Sequence, residues 1–384
     1  MKLAIVRQKY NPYGGAERFI ERAIGALRAH EEVEVTLMAR EWKEAPGYQY
    51  WRINPPYRGS LTRDRTFSTS VRRALATTGD RFDLVQSHER IPGIAIYRAG
   101  DGVHATWLGL RARAQTRWQR FNVWVNPYHP YVLKQERLMF THRALRAVIC
   151  NSTMVRDDIA ARFGTPAAKL HVIYNGVDLD IFHPRQAAQR ASMRAALGIA
   201  QDAPLFLYVG SGFERKGVAR LLEALAGVPA PASAVIVGAD KHAAAYQAQA
   251  KRLGLEGRVH FLGPREDLPA LYGAADAFVL PTLYDPMPNA ALEALASGLP
   301  VVTTRQCGAR EFIREGENGY VLDALDVAGL SQVMGVLAAP GRAAGMREAA
   351  RASVAHLSLD AMAEQLLALY RELAGVPPNV KISV

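Results

Sequence analysis

Along the chain, short runs of apolar, largely β-branched residues alternate with stretches whose apolar positions recur at helical spacing. The first half carries "KLAIV", "VEVTLMA", "DLVQSH", "AIYRAG", "AVICNS" and "HVIYNG". The second half repeats the theme with "LFLYVGS", "SAVIVGAD", "VHFLG", "AFVLPT", "PVVTT" and "GYVL". Apolar strands bounded by Gly or Ser and separated by helices predict parallel sheets covered on both faces. The expected fold class is therefore α/β, as two doubly wound Rossmann-like domains in tandem. The boundary falls in "NGVDLDIFHPRQAAQRA", where Pro184 ends one unit and a polar stretch leads to the next strand. This gives a first domain over 1–177 and a second over 178–357, with the amphipathic "LDAMAEQLLALYREL" segment, within 358–384, expected to pack back on the first. Ligands of such sheets bind beyond the C-terminal ends of the strands. With two domains, that places the expected site in the cleft between them.

One stretch, "LYDPMPNAALEALASGLPVVTT", sets Asp285 and Glu293 on either side of a rigid turn. Ala290 to Ser297 is rich in strong helix formers, Gly298 closes it as a cap, and Leu299 to Thr304 reads as a strand. Pro286 disfavours helix at Asp285, while Pro288 and Asn289 suit a helix entrance. Asp285 thus lies in the loop and Glu293 about one turn inside, both near a helix N-terminus that suits hydroxyl-rich or anionic ligands. Two more strand-to-helix turns have the same flavour. Gly14 and Gly15 in "NPYGGAERFIERAIGAL" let a ligand approach the backbone, but not with the GxGxxG spacing of a nicotinamide site. In "YVGSGFERKGVARLLEAL", Arg215 and Lys216 are expected to open a helix. Adjacent cations oppose the dipole there, which points to a bound anion such as a diphosphate.

Composition is that of a globular protein, 49% hydrophobic and 22% charged over 384 residues. The apolar run in "MKLAIVRQKY" is too short for a signal peptide, and no run approaches the ~18 residues of a membrane span, so a cytoplasmic location is expected. Cys150 and Cys307 form no metal or disulfide pattern and read as packing residues. The net charge of +11 is uneven: residues 1–177 hold 28 Lys+Arg against 15 Asp+Glu, and 178–384 hold 19 against 21. The first half should therefore meet something acidic. Gly102 to Gln135 contains no acid, and there Arg111, Arg113, Arg117 and Arg120 lie among Trp107, Trp118, Phe121 and Trp124. At helical spacing Trp107, Leu110, Ala114, Trp118, Phe121 and Val125 share one face, a pattern suited to contact with an anionic bilayer surface. "DLD" at Asp178 to Asp180 imitates an Asp-x-Asp metal site but falls in the interdomain connection and reads as linker.

With "PYGGAER", "GSGFERKG" and "DPMPNAALEALASGLPVVTT" in place, the chain resembles the retaining glycosyltransferases of the GT-B fold, family 4, whose pattern includes two acids spaced like Asp285 and Glu293. The similarity spans nearly the whole chain, and "SHERIPGIAIYRAGDGVHATWL" narrows it towards the lipopolysaccharide core glucosyltransferases that act on inner-core heptose. The resemblance implies two Rossmann-like domains facing each other across a cleft and a nucleotide-sugar-dependent hexosyltransferase. It implies that Arg215 and Lys216 grip the nucleotide diphosphate, Asp285 meets the transferred sugar and Glu293 the ribose. Gly14, Gly15 and the loop of Met287, Pro288, Asn289 and Ala290 would complete the donor site. On the acceptor side it implies Asp101, to orient or deprotonate a hydroxyl. Beside the resemblance, Glu17 is an early-helix acid, ordinary for the dipole, that could reach acceptor or donor, and His104 is a weaker acceptor-side candidate, a lone His being more often structural. The implied donor is UDP-glucose, with no cofactor and no metal, and the implied acceptor is the lipopolysaccharide core at the cytoplasmic face of the inner membrane. Asp285 is one methylene shorter than the Glu usual in the family, which leaves the donor sugar open. Other readings are a family 4 enzyme for another surface polysaccharide or glycolipid, a sugar-nucleotide epimerase, or a basic nucleic-acid-binding protein. The last has no helix-turn-helix, zinc or RNA motif behind it, so no nucleic-acid partner is expected.

Overall fold

The computed structural model describes residues 1–8, 20, 21, 23–25, 33–42, 47–78 and 81–375. By its internal contacts the chain divides into two units, one of Met1–Gly176 with Leu359–Val384 and one of Val177–Ser358. Each unit is built on a parallel sheet, which is the fold class expected from the alternation of apolar runs.

The first unit's sheet has seven described strands: β1 (Lys2–Val6), β2 (Glu34–Ala39), β3 (Gln49–Arg52), β4 (Leu84–Ser87), β5 (Ile96–Arg98), β6 (Ala147–Cys150) and β7 (Leu170–Val172). Their order is β3-β2-β1-β4-β5-β6-β7, all pairs parallel. The winding reverses between β1 and β4, which is where a ligand crevice opens in such sheets. Helix α1 (Gly59–Thr78) packs Phe67 and Val71 onto Ala4, Val6 and Met38. Three further helices, α2 (His104–Arg113), α3 (Arg117–Trp124) and α4 (Tyr128–Phe140), lie between β5 and β6.

The second unit's strands are β8 (Leu205–Val209), β9 (Ser233–Val237), β10 (Val259–Gly263), β11 (Ala277–Val279), β12 (Val301–Thr304) and β13 (Gly319–Leu322), ordered β10-β9-β8-β11-β12-β13 and again parallel. Every residue of β8, β9, β11 and β12 is buried, as continuous apolar runs between two helical layers must be. Here the winding reverses between β8 and β11. The short helix α5 (Phe213–Lys216) and α6 (Val218–Ala226) follow β8, and α7 (Asn289–Ala296) follows the loop after β11.

The terminal helix α8 (Leu359–Ala374) belongs to the first unit, where Met362, Leu366 and Tyr370 join Leu3, Ile5 and Ile96 in one core. The Tyr370 hydroxyl donates to Gln86 Oε1 at 2.7 Å, so a polar atom inside that core is satisfied rather than stranded. The Asp178 to Asp180 stretch is a local turn: Asp178 Oδ1 accepts the N–H groups of Asp180 and Ile181 at 3.2 and 2.9 Å.

Candidate functional site

At the β8/β11 reversal the chain brings Arg215, Lys216 and Asp285 together. Asp285 follows β11 through a loop that is stitched to its neighbours by backbone bonds: its N–H donates to Gln306 O at 3.0 Å and its carbonyl accepts Gly308 N–H at 2.9 Å. Leu283 N–H and Thr282 Oγ1 both donate to Arg215 O, at 2.8 and 3.0 Å, which ties this loop to α5. Arg215 Nη1 returns to Tyr284 O at 3.3 Å. Lys216 Nζ lies 3.1 Å from Asp285 Oδ2 with both side chains almost out of solvent, 12% and 7% exposed. That contact is an ion pair without hydrogen-bond alignment at Oδ2. A buried pair of this kind loses much if one charge is removed, because the other is left uncompensated.

The two cations do not open a helix as the sequence suggested. They close the one-turn α5, and Gly217, with φ +83°, separates it from α6. The left-handed turn is what the sequence reading overlooked, and it removes the dipole conflict because cations are favourable in a last turn. No side chain fits at Gly217: a Cβ there would lie 1.9 Å from Pro281 O. Gly210 has a related role, since a Cβ on it would meet Lys216 Cδ at 2.6 Å. The bare backbone at Gly210 thus leaves the corridor through which the Lys216 stem reaches Asp285.

Asp285, Met287, Pro288, Asn289, Ala290 and Glu293 are all buried. Asn289 is the first residue of α7 and Pro288 its cap position, without a side-chain cap, while Gly298 follows its end with φ +76°. Glu293 is fully buried one turn inside α7, and the Tyr272 hydroxyl sits 3.0 Å from Ala290 O and 3.3 Å from Glu293 Oε2. Tyr272 therefore touches both the acid and the first turn of its helix, a residue the sequence reading passed over. Tyr208, on β8, is buried, its hydroxyl has no hydrogen-bond partner among the described residues, and burial raises its pKa well above the usual phenol range. Cys307 beside Asp285 is pushed up to about 12, first by burial and then by the Asp285 charge, so it is an inert thiol.

In the first unit, Asp101 is exposed, and Arg7 Nη1 lies 3.6 Å from its Oδ2 and 3.3 Å from Glu89 Oε1. His104 begins α2. Its N–H donates to Glu136 Oε1 at 2.7 Å, and the same oxygen accepts Arg90 Nε at 2.8 Å. Its ring stacks on His129 with 3.0 Å between Nε2 and Nδ1. Burial, then the nearby Arg90 and His129, lower the His104 pKa to about 3, which keeps the ring neutral near pH 7. Glu89, Arg90, Glu136 and Asp64 were missed by the sequence reading. They come together from α1, α4 and the loop after β4 and follow no local spacing. Gly14, Gly15 and Glu17 lie outside the described residues.

The acid-free stretch does not make one continuous helical face from Trp107 to Val125. Helix α2 ends at Arg113, and Thr116 starts α3 with a capping box, its N–H donating to Gln119 Oε1 at 2.9 Å and its Oγ1 accepting Gln119 N–H at 3.4 Å. Trp107 is half-buried with Arg111 over its ring at 5.8 Å. Trp118, Phe121 and Trp124 form a separate exposed cluster, 73%, 48% and 74% exposed, with ring centroids 5.7 and 6.0 Å apart. Arg113, Arg117 and Arg120 are exposed around it. Among the described residues no helix is long and apolar enough to cross a membrane.

Comparison with known proteins adds a second line. Residues 189–352 match the family model of glycosyl transferases group 1, and residues 13–181 match that of glycosyltransferase family 4. The chain is 32% identical over 370 residues to a GDP-mannose-dependent alpha-(1-6)-phosphatidylinositol monomannoside mannosyltransferase of Mycolicibacterium smegmatis, covering 90% of this chain and 91% of that one. It is 26% identical over 331 residues to the lipopolysaccharide glucosyltransferase WaaG of Escherichia coli, covering 84% and 85%. Among solved structures, WaaG superposes with a TM-score of 0.83 at 24% identity over 97% of this chain and 100% of the other. HepE of Anabaena, in complex with UDP and glucose, does so with a TM-score of 0.72 at 22% identity over 97% and 100%.

Proposed function

This chain belongs to the glycosyltransferases of group 1 and family 4, and from that premise we propose that it moves glucose from UDP-glucose to the heptose region of a lipopolysaccharide core. One observation carries the donor half of this reading: a lysine whose side chain is 12% exposed lies 3.1 Å from a buried aspartate at the winding reversal of the second unit, with Arg215 adjacent in the chain. Such an arrangement suits a sugar diphosphate. Arg215 and Lys216 supply the positive charge that leaving phosphate oxygens require, and Asp285 accepts hydrogen bonds from sugar hydroxyls. Glu293, one turn into α7, is left to meet the ribose. The preference for glucose and for a core heptose rests on the similarity to WaaG over most of both chains.

With those cations in place the reaction proceeds without a divalent metal. Charge that develops on the departing diphosphate is met by the guanidinium and ammonium groups rather than by an ion held between carboxylates. The sugar's configuration is retained by attack from the face the phosphate leaves, with a phosphate oxygen taking the acceptor's proton. Asp285 then positions the sugar and forms no ester. In the first unit, Asp101 orients the acceptor hydroxyl. We further propose that the protein works at the cytoplasmic face of the inner membrane, with Trp118, Phe121 and Trp124 in the headgroup region and Arg113, Arg117 and Arg120 on anionic lipid.

A second reading is favoured by the mycobacterial mannosyltransferase, the more similar of the two relatives by identity: mannosyl transfer from GDP-mannose to a glycolipid. Turnover with a panel of UDP-glucose, UDP-galactose, GDP-mannose and UDP-N-acetylglucosamine, against a heptose core acceptor and a phosphoinositol glycolipid, separates them. UDP-glucose consumed with the core acceptor supports the first reading. GDP-mannose consumed with the glycolipid replaces it.

A further inference from the structure

Helix α5 carries Arg215 and Lys216 on a single turn, and one turn of helix is not stable by itself. It is closed by Lys216 N–H donating to Gly212 O at 3.2 Å and Gly217 N–H donating to Phe213 O at 2.9 Å. The direction of its two cations therefore depends on what grips it from outside. At its end, Arg215 O accepts Leu283 N–H and Thr282 Oγ1. On its inner side the buried Phe213 ring meets Tyr208 and Tyr246 edge-on, with centroids 5.9 and 5.5 Å away. At its start, Phe213 N–H donates to Asp240 Oδ2 at 2.7 Å.

Asp240 reaches that N–H because two loops lie against each other. It follows β9, and its other oxygen, Oδ1, accepts His242 N–H at 2.7 Å, which fixes the orientation of the carboxylate. One residue earlier, Ala239 N–H donates to Ser211 Oγ at 3.1 Å and Ala239 O accepts Gly212 N–H at 3.3 Å. The approach is so close that a Cβ at Gly238, where φ is +135°, would lie 2.2 Å from Gly210 O. As a charge, Asp240 works against an anion site, since a carboxylate bonded two residues before Arg215 lowers the positive potential a diphosphate would meet. Its contribution is geometric, through a backbone N–H held by an ionised acceptor.

We propose that Asp240 is a positioning residue for the donor's diphosphate. It touches no phosphate itself, and by holding the first N–H of α5 it fixes the direction in which Arg215 and Lys216 present their charge. The proposal rests on the donor reading above and deepens it.

The test is NMR titration of the full chain with uridine and UDP, and with guanosine and GDP to cover the mannosyl reading, in the parent protein, Asp240→Ala and Asp240→Asn. Comparing nucleoside with diphosphate separates the affinity that depends on α5 from the rest. For whichever diphosphate the parent protein binds, Asp240→Ala should weaken it about tenfold while the matching nucleoside stays within about twofold. Asp240→Asn loses the same charge but keeps an acceptor oxygen, and should restore the diphosphate to within about threefold of the parent. The sign is decisive, because removing a negative charge beside a diphosphate strengthens binding unless geometry is lost with it. Diphosphate bound by Asp240→Ala as tightly as by the parent, or more tightly, would overturn the assignment. So would an equal loss of nucleoside affinity, which makes Asp240 a nucleoside contact or a support of the whole unit, or an equal loss in both variants. A parent protein that binds neither diphosphate more tightly than its nucleoside sinks the donor reading itself, and this assignment with it.

Discussion

Lys216 lies against Asp285 at 3.1 Å, and on the proposed reading the same side chain also meets the donor's phosphate charge. Lys216→Ala removes a charge-assisted partner worth about 2 to 3 kcal/mol, so transfer should fall about a hundredfold. Steady-state kinetics that stay within threefold of the parent protein would remove Lys216 from the site. Tyr272 gives a finer probe. Its hydroxyl touches Ala290 O and Glu293 Oε2, so Tyr272→Phe should loosen Glu293 at a cost of about 1 kcal/mol. The expected outcome is a donor KM raised about fivefold with kcat within about twofold. A fall in kcat with KM unchanged would place Tyr272 in the chemistry instead of in donor binding. The role of Tyr272 could not be read from spacing, since the end of its own helix, all of β11, a loop and a helix turn separate it from Glu293.

Elements supply the geometry that the residues need. The α5 to α6 break at Gly217 sets where Arg215 and Lys216 project, and a Cβ at that position would collide with Pro281 O at 1.9 Å in a backbone conformation that L-residues avoid. Gly217→Ala should therefore destabilise the second unit by about 2 to 4 kcal/mol, seen as a lower denaturation midpoint. An unchanged midpoint would show that the loop yields freely. Helices α2 and α4 meet through His104 and His129, and the His104 ring has its pKa lowered to about 3 by burial, Arg90 and His129. The unfolded ring titrates near 6.5, so the unfolded chain gains a proton first and this site's stability is present above pH ~6.5 and lost as pH falls towards 3. His104→Phe should flatten the decline in melting temperature over that window, and a decline of the same slope would assign it to other groups such as the buried His88. On α3 the exposed Trp118 and Trp124 should each contribute about 1 to 2 kcal/mol to vesicle binding. Alanine at either should cost roughly tenfold in affinity for vesicles rich in anionic lipid, and binding should weaken with salt. Equal affinity for neutral vesicles would remove the electrostatic part.

For the molecule as a whole, the repeated apolar runs made the two parallel sheets legible, because strands buried on both faces leave long β-branched words in the sequence. The strand-to-helix turn at Asp285 was legible for a similar reason: Pro286, Pro288 and Gly298 are local constraints. What stayed hidden was non-local or depended on one backbone angle. The Gly217 turn reverses the dipole reading of Arg215 and Lys216, and the break at Thr116 divides a stripe that helical spacing joins from Trp107 to Val125. Asp64, Glu89, Arg90 and Glu136 meet only because α1, α4 and the end of β4 converge. The uneven charge was visible from the start, yet charge alone did not separate the exposed arginines around α3 from Arg7 and Arg90, which already face Glu89 and Glu136 in the first unit. The central claim, metal-independent transfer of glucose with retained configuration through Lys216 and Asp285, is tested most directly by NMR of the product formed from UDP-glucose and a heptose core acceptor in excess chelator. The account predicts an α-linked glucoside, formed at a rate the chelator leaves unchanged and that Lys216→Ala lowers about a hundredfold. A β-linked product, or activity that returns only when magnesium or manganese is added, would contradict it.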